Sequence, residues 1–178
     1  MHLERQQPRV LADALQVETR LRIPVFGQPR KGGVVALGAT VNFPTGEKAR
    51  VYSLHLESNT GHHGRKIQVQ DLAPEMKKYD LPLVLGGDFN SLPHTAPFRA
   101  ARADGLSNAF RRDCTPTGWC YFANQKKQSL RCLVKIDWIW YRGLEELGRG
   151  VAPLLAADGR RVSDHAAVQA RFKLLERK

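Results

Sequence analysis

Apolar residues recur along this chain in two rhythms. From Val34 to Asn42 and from Ala49 to Glu57 they fall at strand spacing, and the intervening Phe43-Pro44-Thr45-Gly46-Glu47 suits a hairpin-type connection. Alternation in the second strand puts Ser53, His55 and Glu57 on one face and Tyr52, Leu54 and Leu56 on the other. From about Gly64 to Tyr79 the rhythm is helical, with Ile67, Leu72, Ala73 and Met76 inward, and Pro74 predicts a kink or break inside it. The spacing of Val10, Leu11, Ala14, Leu15 and Val17 likewise predicts a helix over Pro8 to Val17.

Further on, Leu81 to Gly87 is a short apolar run ending in two glycines, which predicts a buried strand. Pro97 to Ala103 opens as a short helix with proline near its first turn. Arg111 to Lys135 reads mostly as loop, with a strand expected over Trp119 to Phe122. Lys135 to Tyr141 and His165 to Phe172 read as further strands. Strands interleaved with helices, plus one hairpin, predict an α/β class with a mixed sheet. Neither repeat nor long linker divides the chain, so one domain over residues 1–178 is expected.

Composition narrows the picture. At 178 residues and 42% hydrophobic content the chain can bury a core without staples. The longest apolar stretch, Gly32 to Val41, falls well short of the roughly 18 residues that span a bilayer, so no transmembrane segment is expected. The first residues lack the apolar region of a secretory signal, which makes a cytoplasmic location the expectation. Cys114, Cys120 and Cys132 match neither a disulfide framework nor a zinc cluster and are read as reduced packing residues. A net charge of +11 favours a polyanionic partner, nucleic acid or an anionic membrane surface. Lys126, Lys127 and Arg131 follow Trp119, Tyr121 and Phe122, and basic with aromatic groups could grip a nucleic acid; a solvated loop would look the same.

Four stretches carry chemistry. Leu83 to Asn90 is a buried strand running out into Asp88 and Asn90; if it stays extended, both point into one cleft while Phe89 packs inward. A carboxylate there can bind a hard cation or take a proton, and an amide can donate to a phosphate oxygen, but Gly-Gly-Asp and Asn also form turns. Ser163-Asp164-His165 sets a metal-type ligand beside the side chain that titrates near neutrality, or is a capping turn. Asp137, inside the apolar run Ile136 to Trp140, requires a partner if buried, and a histidine would serve. His55 stands on the polar face of its strand.

In order, His55-Leu56-Glu57, Gly87-Asp88-Phe89-Asn90, Ile136-Asp137-Trp138-Ile139 and Ser163-Asp164-His165 resemble the endonuclease/exonuclease/phosphatase superfamily, and Arg65-Lys66-Ile67-Gln68 resembles its Arg-x-x-Gln helix start. The resemblance covers residues 30–172 and implies a deoxyribonuclease-like β-sandwich flanked by helices in four layers, with mixed sheets. It implies a phosphoesterase dependent on Mg²⁺ or Mn²⁺, with nucleic acid the expected substrate. It assigns His165 as catalytic histidine, Asp137 as the carboxylate orienting it, Asp88 to proton transfer and metal binding, Asn90 and His55 to the phosphate, and Asp164 to metal or water.

The family's opening strands, with an asparagine and a metal-binding glutamate, have no counterpart here, so the fold is expected to be N-terminally truncated. Arg5 to Leu15 instead resembles the helix that follows that glutamate. Unpaired sheet edges would then invite a partner chain. The break also motivates an alternative, an impaired member that binds nucleic acid or a protein without turnover; a phospholipid or inositol-phosphate hydrolase is a second alternative.

Overall fold

The computed structural model describes residues 9–18, 24–25, 28–29, 33–58, 61–113, 115–118 and 134–175. Its elements run β1 (Arg9–Glu18), β2 (Pro24–Val25), β3 (Gln28–Pro29), β4 (Gly33–Asn42), β5 (Lys48–His55), α1 (Gly61–Lys78), β6 (Leu83–Asp88), α2 (Ala96–Ala103), β7 (Ser107–Asn108), β8 (Asp137–Arg142), β9 (Leu144–Leu155) and β10 (Arg161–Leu174). A six-stranded sheet has the order β1-β4-β5-β6-β8-β7, and β9 with β10 forms a separate two-stranded sheet. Within the large sheet β5 and β6 are parallel, joined through α1, and the other pairings are antiparallel. This is the mixed α/β fold expected.

Alternation sorts the side chains of the large sheet. Tyr52, Leu54, Leu85, Trp138 and Trp140 are buried, together with Val69, Leu72, Ala73 and Met76 of α1. Phe98 of α2 sits at the centre, its ring 4.8 Å from Trp138 and 5.0 Å from Trp140, both edge-on. The opposite face meets the β9–β10 hairpin, where Tyr141 packs on Phe172 at 4.9 Å and Val151, Val168 and Ala170 are partly buried against the core. Helices, large sheet and hairpin sheet thus stack in sequence.

Three expectations change. Residues 9–18 form a strand, β1, paired over its whole length with β4 from Arg9↔Asn42 to Glu18↔Gly33. The apolar positions there suit either period, and the open edge of β4 decides between them because its backbone groups demand partners. α1 continues as one element past Pro74, which lies on an exposed position of the helix. Val69 is fully buried and Ile67 only half-buried, so the inward stripe is rotated slightly from the expected one. The strand β9 had no forecast. Trp119 to Phe122 and the three cysteines lie outside the described residues.

Candidate active site

Cross-strand register builds most of the site. His55 of β5 is level with Asp88 of β6, and Asp88 is level with Asp137 of β8. Residues paired across neighbouring strands point to the same face, so these three side chains form one row at a common edge of the sheet. The row lies on the face that carries the β9–β10 hairpin, and β10 delivers the fourth group. His165 falls where the β9–β10 register shifts, between Arg161 and Ala166. Such irregularities re-aim side chains near functional sites.

The distances join the four groups. His165 Nδ1 donates to Asp137, at 2.9 Å from Oδ2 and 3.1 Å from Oδ1; the carboxylate can only accept, which assigns the proton to Nδ1. His165 Nε2 stands 4.0 Å from Asp88 Oδ2, and His55 Nε2 stands 3.4 Å from that same oxygen. Asp88 Oδ1 accepts the Asn90 backbone N–H at 2.7 Å. The expected convergence of His55, Asp88, Asp137 and His165 is therefore present.

Of the two readings open at Asn90, extended chain and turn, the turn is the one observed. Asn90 has φ 45°, so Asp88 to Asn90 is a turn closed by the Asp88 side chain rather than extended chain. Phe89 still packs into the core, but the Asn90 amide donates to the Leu56 carbonyl at 2.8 Å and ties the end of β6 to the end of β5. Asp164 is exposed and makes no hydrogen bond or ion pair among the described residues; it reaches the site only through its charge, which acts on His165. Lys126, Lys127 and Arg131 lie outside the described residues.

Two supports escaped the sequence reading or were only glimpsed by it. Thr117, fully buried, accepts the backbone N–H of Ile136 at 3.1 Å and of Asp137 at 3.0 Å through Oγ1, while its carbonyl accepts Ala166 N–H at 2.8 Å. One residue thus holds the Asp137 strand and the His165 strand at a fixed separation. A lone threonine in a loop carries no sequence signal for this. The Arg-x-x-Gln start of α1 proves to be a clamp. Buried Arg65 donates to the carbonyls of Glu57 at 3.1 Å and Ser58 at 3.0 Å and to Ser91 Oγ at 3.0 Å, and Gln68 accepts the Glu57 N–H at 3.1 Å. The two turns that follow His55 and Asp88 are held together by it.

Electrostatics follow from this packing. Burial holds the Asp88 carboxyl above the usual carboxylate range, opposed by the Asn90 N–H and reinforced by the charge of Asp137. At His165, burial favours the neutral ring, but the hydrogen bond and charge of Asp137, with Asp88 and Asp164, prevail and raise its pKa above the ordinary imidazole value. With a folded pKa raised above the unfolded one, this histidine stabilises the fold fully below its unfolded pKa, and that contribution is lost as pH rises through the folded pKa. Asp137→Asn removes the charge while keeping an acceptor. The His165 pKa should then fall below the parent's by NMR titration without added divalent ions, and an unchanged titration would refute the pairing.

A hard divalent cation asks for six or more oxygen donors, several supplied by the protein. Both Asp137 oxygens face His165, Asp88 Oδ1 is taken by Asn90, and Asp88 Oδ2 is left facing the two imidazoles. Among the described residues no group of three or more His, Cys, Asp or Glu side chains is arranged to hold a metal ion. These residues do not make a Mg²⁺ site by themselves.

Fold and row together define a class: a mixed α/β protein with a histidine–carboxylate pair and a second carboxylate 4.0 Å from the histidine, gathered at the ends of adjacent strands. The model of the endonuclease/exonuclease/phosphatase family matches residues 3–165, and the chain belongs to that family. Solved structures share the fold. Against the mannosyl-6-phosphatase of Bacteroides thetaiotaomicron VPI-5482 the TM-score is 0.67 at 18% identity, over 92% of this chain and 66% of that one. The human Nocturnin catalytic domain, with bound sulfate, gives 0.64 at 20% identity, over 94% and 61%. TDP2 from D. rerio, complexed with single strand DNA product, gives 0.63 at 18% identity, over 93% and 69%. The chain thus spans 61% to 69% of the length of these three proteins. No curated protein sequence matches it. Among the described residues no helix is long and apolar enough to cross a membrane.

Proposed function

We propose that the chain is a phosphoesterase whose reaction is the hydrolysis of phosphodiester bonds in nucleic acid. The observation that carries this reading is the meeting of His165, Asp137 and Asp88 at one edge, with contacts of 2.9 Å and 4.0 Å. Hydrolysis of a phosphate ester needs an aligned water, charge relief on the nonbridging oxygens and a proton for the leaving oxygen. His165 takes the proton of the attacking water at Nε2, because Asp137 holds Nδ1 protonated and stabilises the imidazolium that forms. Asp88, raised by its burial, handles the leaving-group proton. His55, largely exposed, reaches a nonbridging oxygen of the phosphate. Mg²⁺ or Mn²⁺ belongs to the proposal as the charge-neutralising cofactor, for which the described residues do not complete a ligand set.

One observation favours a second reading. The row of His55, Asp88 and Asp137 offers a cation a single carboxylate oxygen that no hydrogen bond occupies, Asp88 Oδ2, which suits a member that binds nucleic acid without turning it over. The experiment that separates the two is hydrolysis of single-stranded DNA and of bis(p-nitrophenyl) phosphate by the purified protein. Turnover that appears with Mg²⁺ or Mn²⁺, disappears with chelator and collapses in Asp88→Asn supports the phosphoesterase. Binding without turnover supports the second reading, and turnover indifferent to Asp88→Asn removes the site from the chemistry.

A further inference from the structure

We propose that a groove along the outer edge of β7 and β8, beyond the catalytic row, binds single-stranded nucleic acid through its phosphates. The groove has a volume of about 750 Å³ and is walled by Arg102 of α2, Arg111 and Arg112 after β7, and Arg149 of β9. Among the described residues these four guanidiniums share the lining with one carboxylate, Glu146, which pairs with Arg149 at 2.7 Å. Arg102, Arg111 and Arg112 are exposed, and among the described residues none of them has an ion-pair partner. Unbalanced guanidiniums facing one another across a concave surface repel, and an anion relieves that repulsion. Guanidinium groups suit phosphate because their planar donors bind two oxygens at once.

Position links this groove to the row. β7 pairs with β8 at Ser107↔Tyr141 and Asn108↔Trp140, and Ala109 N–H continues the ladder to the Ile139 carbonyl at 3.0 Å. Past Ala109 the chain turns, with Asp113 N–H closing on the Phe110 carbonyl at 3.0 Å, so Arg111 and Arg112 stand in a turn beside β8, and the Lys135 ammonium, just before β8, lies 3.9 Å from the Phe110 ring centroid. From Asp137 to Tyr141, which also lines the groove, is four strand residues, or roughly 13 Å. A strand held at the row can thus run on into the groove. Tyr141 adds an aromatic wall, and basic with aromatic surface is the combination that single strands use. The concavity selects a flexible strand over a flat bilayer. The proposal deepens the nuclease reading of the row and rests on it for its biological sense, while the binding can be measured without turnover.

The test is fluorescence anisotropy of a short labelled oligothymidylate in chelator, over a series of salt concentrations. The variant Arg102→Gln/Arg111→Gln/Arg112→Gln should bind about tenfold more weakly or worse at moderate salt, with a log–log salt slope shallower by roughly 2, since each single-strand phosphate contact contributes about 0.7. The variant Lys48→Gln/Lys78→Gln/Arg160→Gln removes the same charge from residues outside the groove and should stay within about threefold of the parent. Equal losses in both variants would mean that net charge alone is responsible and would overturn the proposal, as would an unchanged groove variant. So would a groove variant that loses adhesion to phosphatidylserine vesicles while keeping its grip on the oligonucleotide. Melting curves check that each variant folds, which exposed arginines favour. Absent turnover would sink the phosphoesterase reading and leave this measurement standing, whereas turnover with groove-independent binding would do the reverse.

Discussion

Gly87→Ala will destabilise the chain by more than about 3 kcal/mol and lower its melting midpoint by roughly 10 °C. Gly87 has φ 137°, outside the range of L side chains, and a Cβ there would lie 1.9 Å from the carbonyl oxygen of Leu54. Leu54 is its rung partner on the parallel strand β5, so the clash cannot be relieved by rotating a side chain. The two central strands must part, and the ladder that sets His55 level with Asp88 parts with them. Gly86, next along the chain, is the control: an added Cβ would meet Ile139 at 3.7 Å, an ordinary contact, and Gly86→Ala should change stability by less than about 1 kcal/mol. Thermal melts of the two variants decide it. Equal midpoints would show that β5 and β6 are not joined in this register.

His165→Asn will reduce turnover in the proposed reaction by about 10³-fold while the protein stays folded. Asparagine keeps a donor near the position of Nδ1, so buried Asp137 is not left as an unpaired charge, which would itself cost several kcal/mol. What asparagine lacks is the second ring nitrogen, the one that faces Asp88 at 4.0 Å. Loss of rate with an unchanged melting point therefore isolates proton transfer from support. Turnover within about tenfold of the parent would show that His165 holds the strand in place and does no chemistry.

What could be read beforehand was whatever is written in local alternation. Ser53 and His55 are exposed and Tyr52, Leu54 and Leu56 buried, as period two demands, and Asp137 has the histidine partner that a buried acid requires. Elements decided by distant partners were not readable. β1 is a strand because β4 presents an edge to it. In β9 the half-buried positions include Glu146, Gly148 and Gly150 while Leu147 is exposed, so no apolar alternation marks it. At Asn90 both readings stayed open because a residue that ends a strand and one that closes a turn share the same composition, and the fold takes the turn. Thr117 acts through a hydroxyl and a carbonyl toward chain about 19 and 49 residues further on, a relation that only folding reveals.

The ladder across β5, β6 and β8 has an evolutionary corollary. Three of the four residues that meet there, His55, Asp88 and Asp137, sit level with one another on paired backbone rungs, whose spacing is a property of the peptide and not of the side chains around it. Loops beyond those rungs can lengthen, shrink or change character without disturbing the reactive geometry. Such a scaffold leaves its surroundings free to vary while the row keeps its geometry.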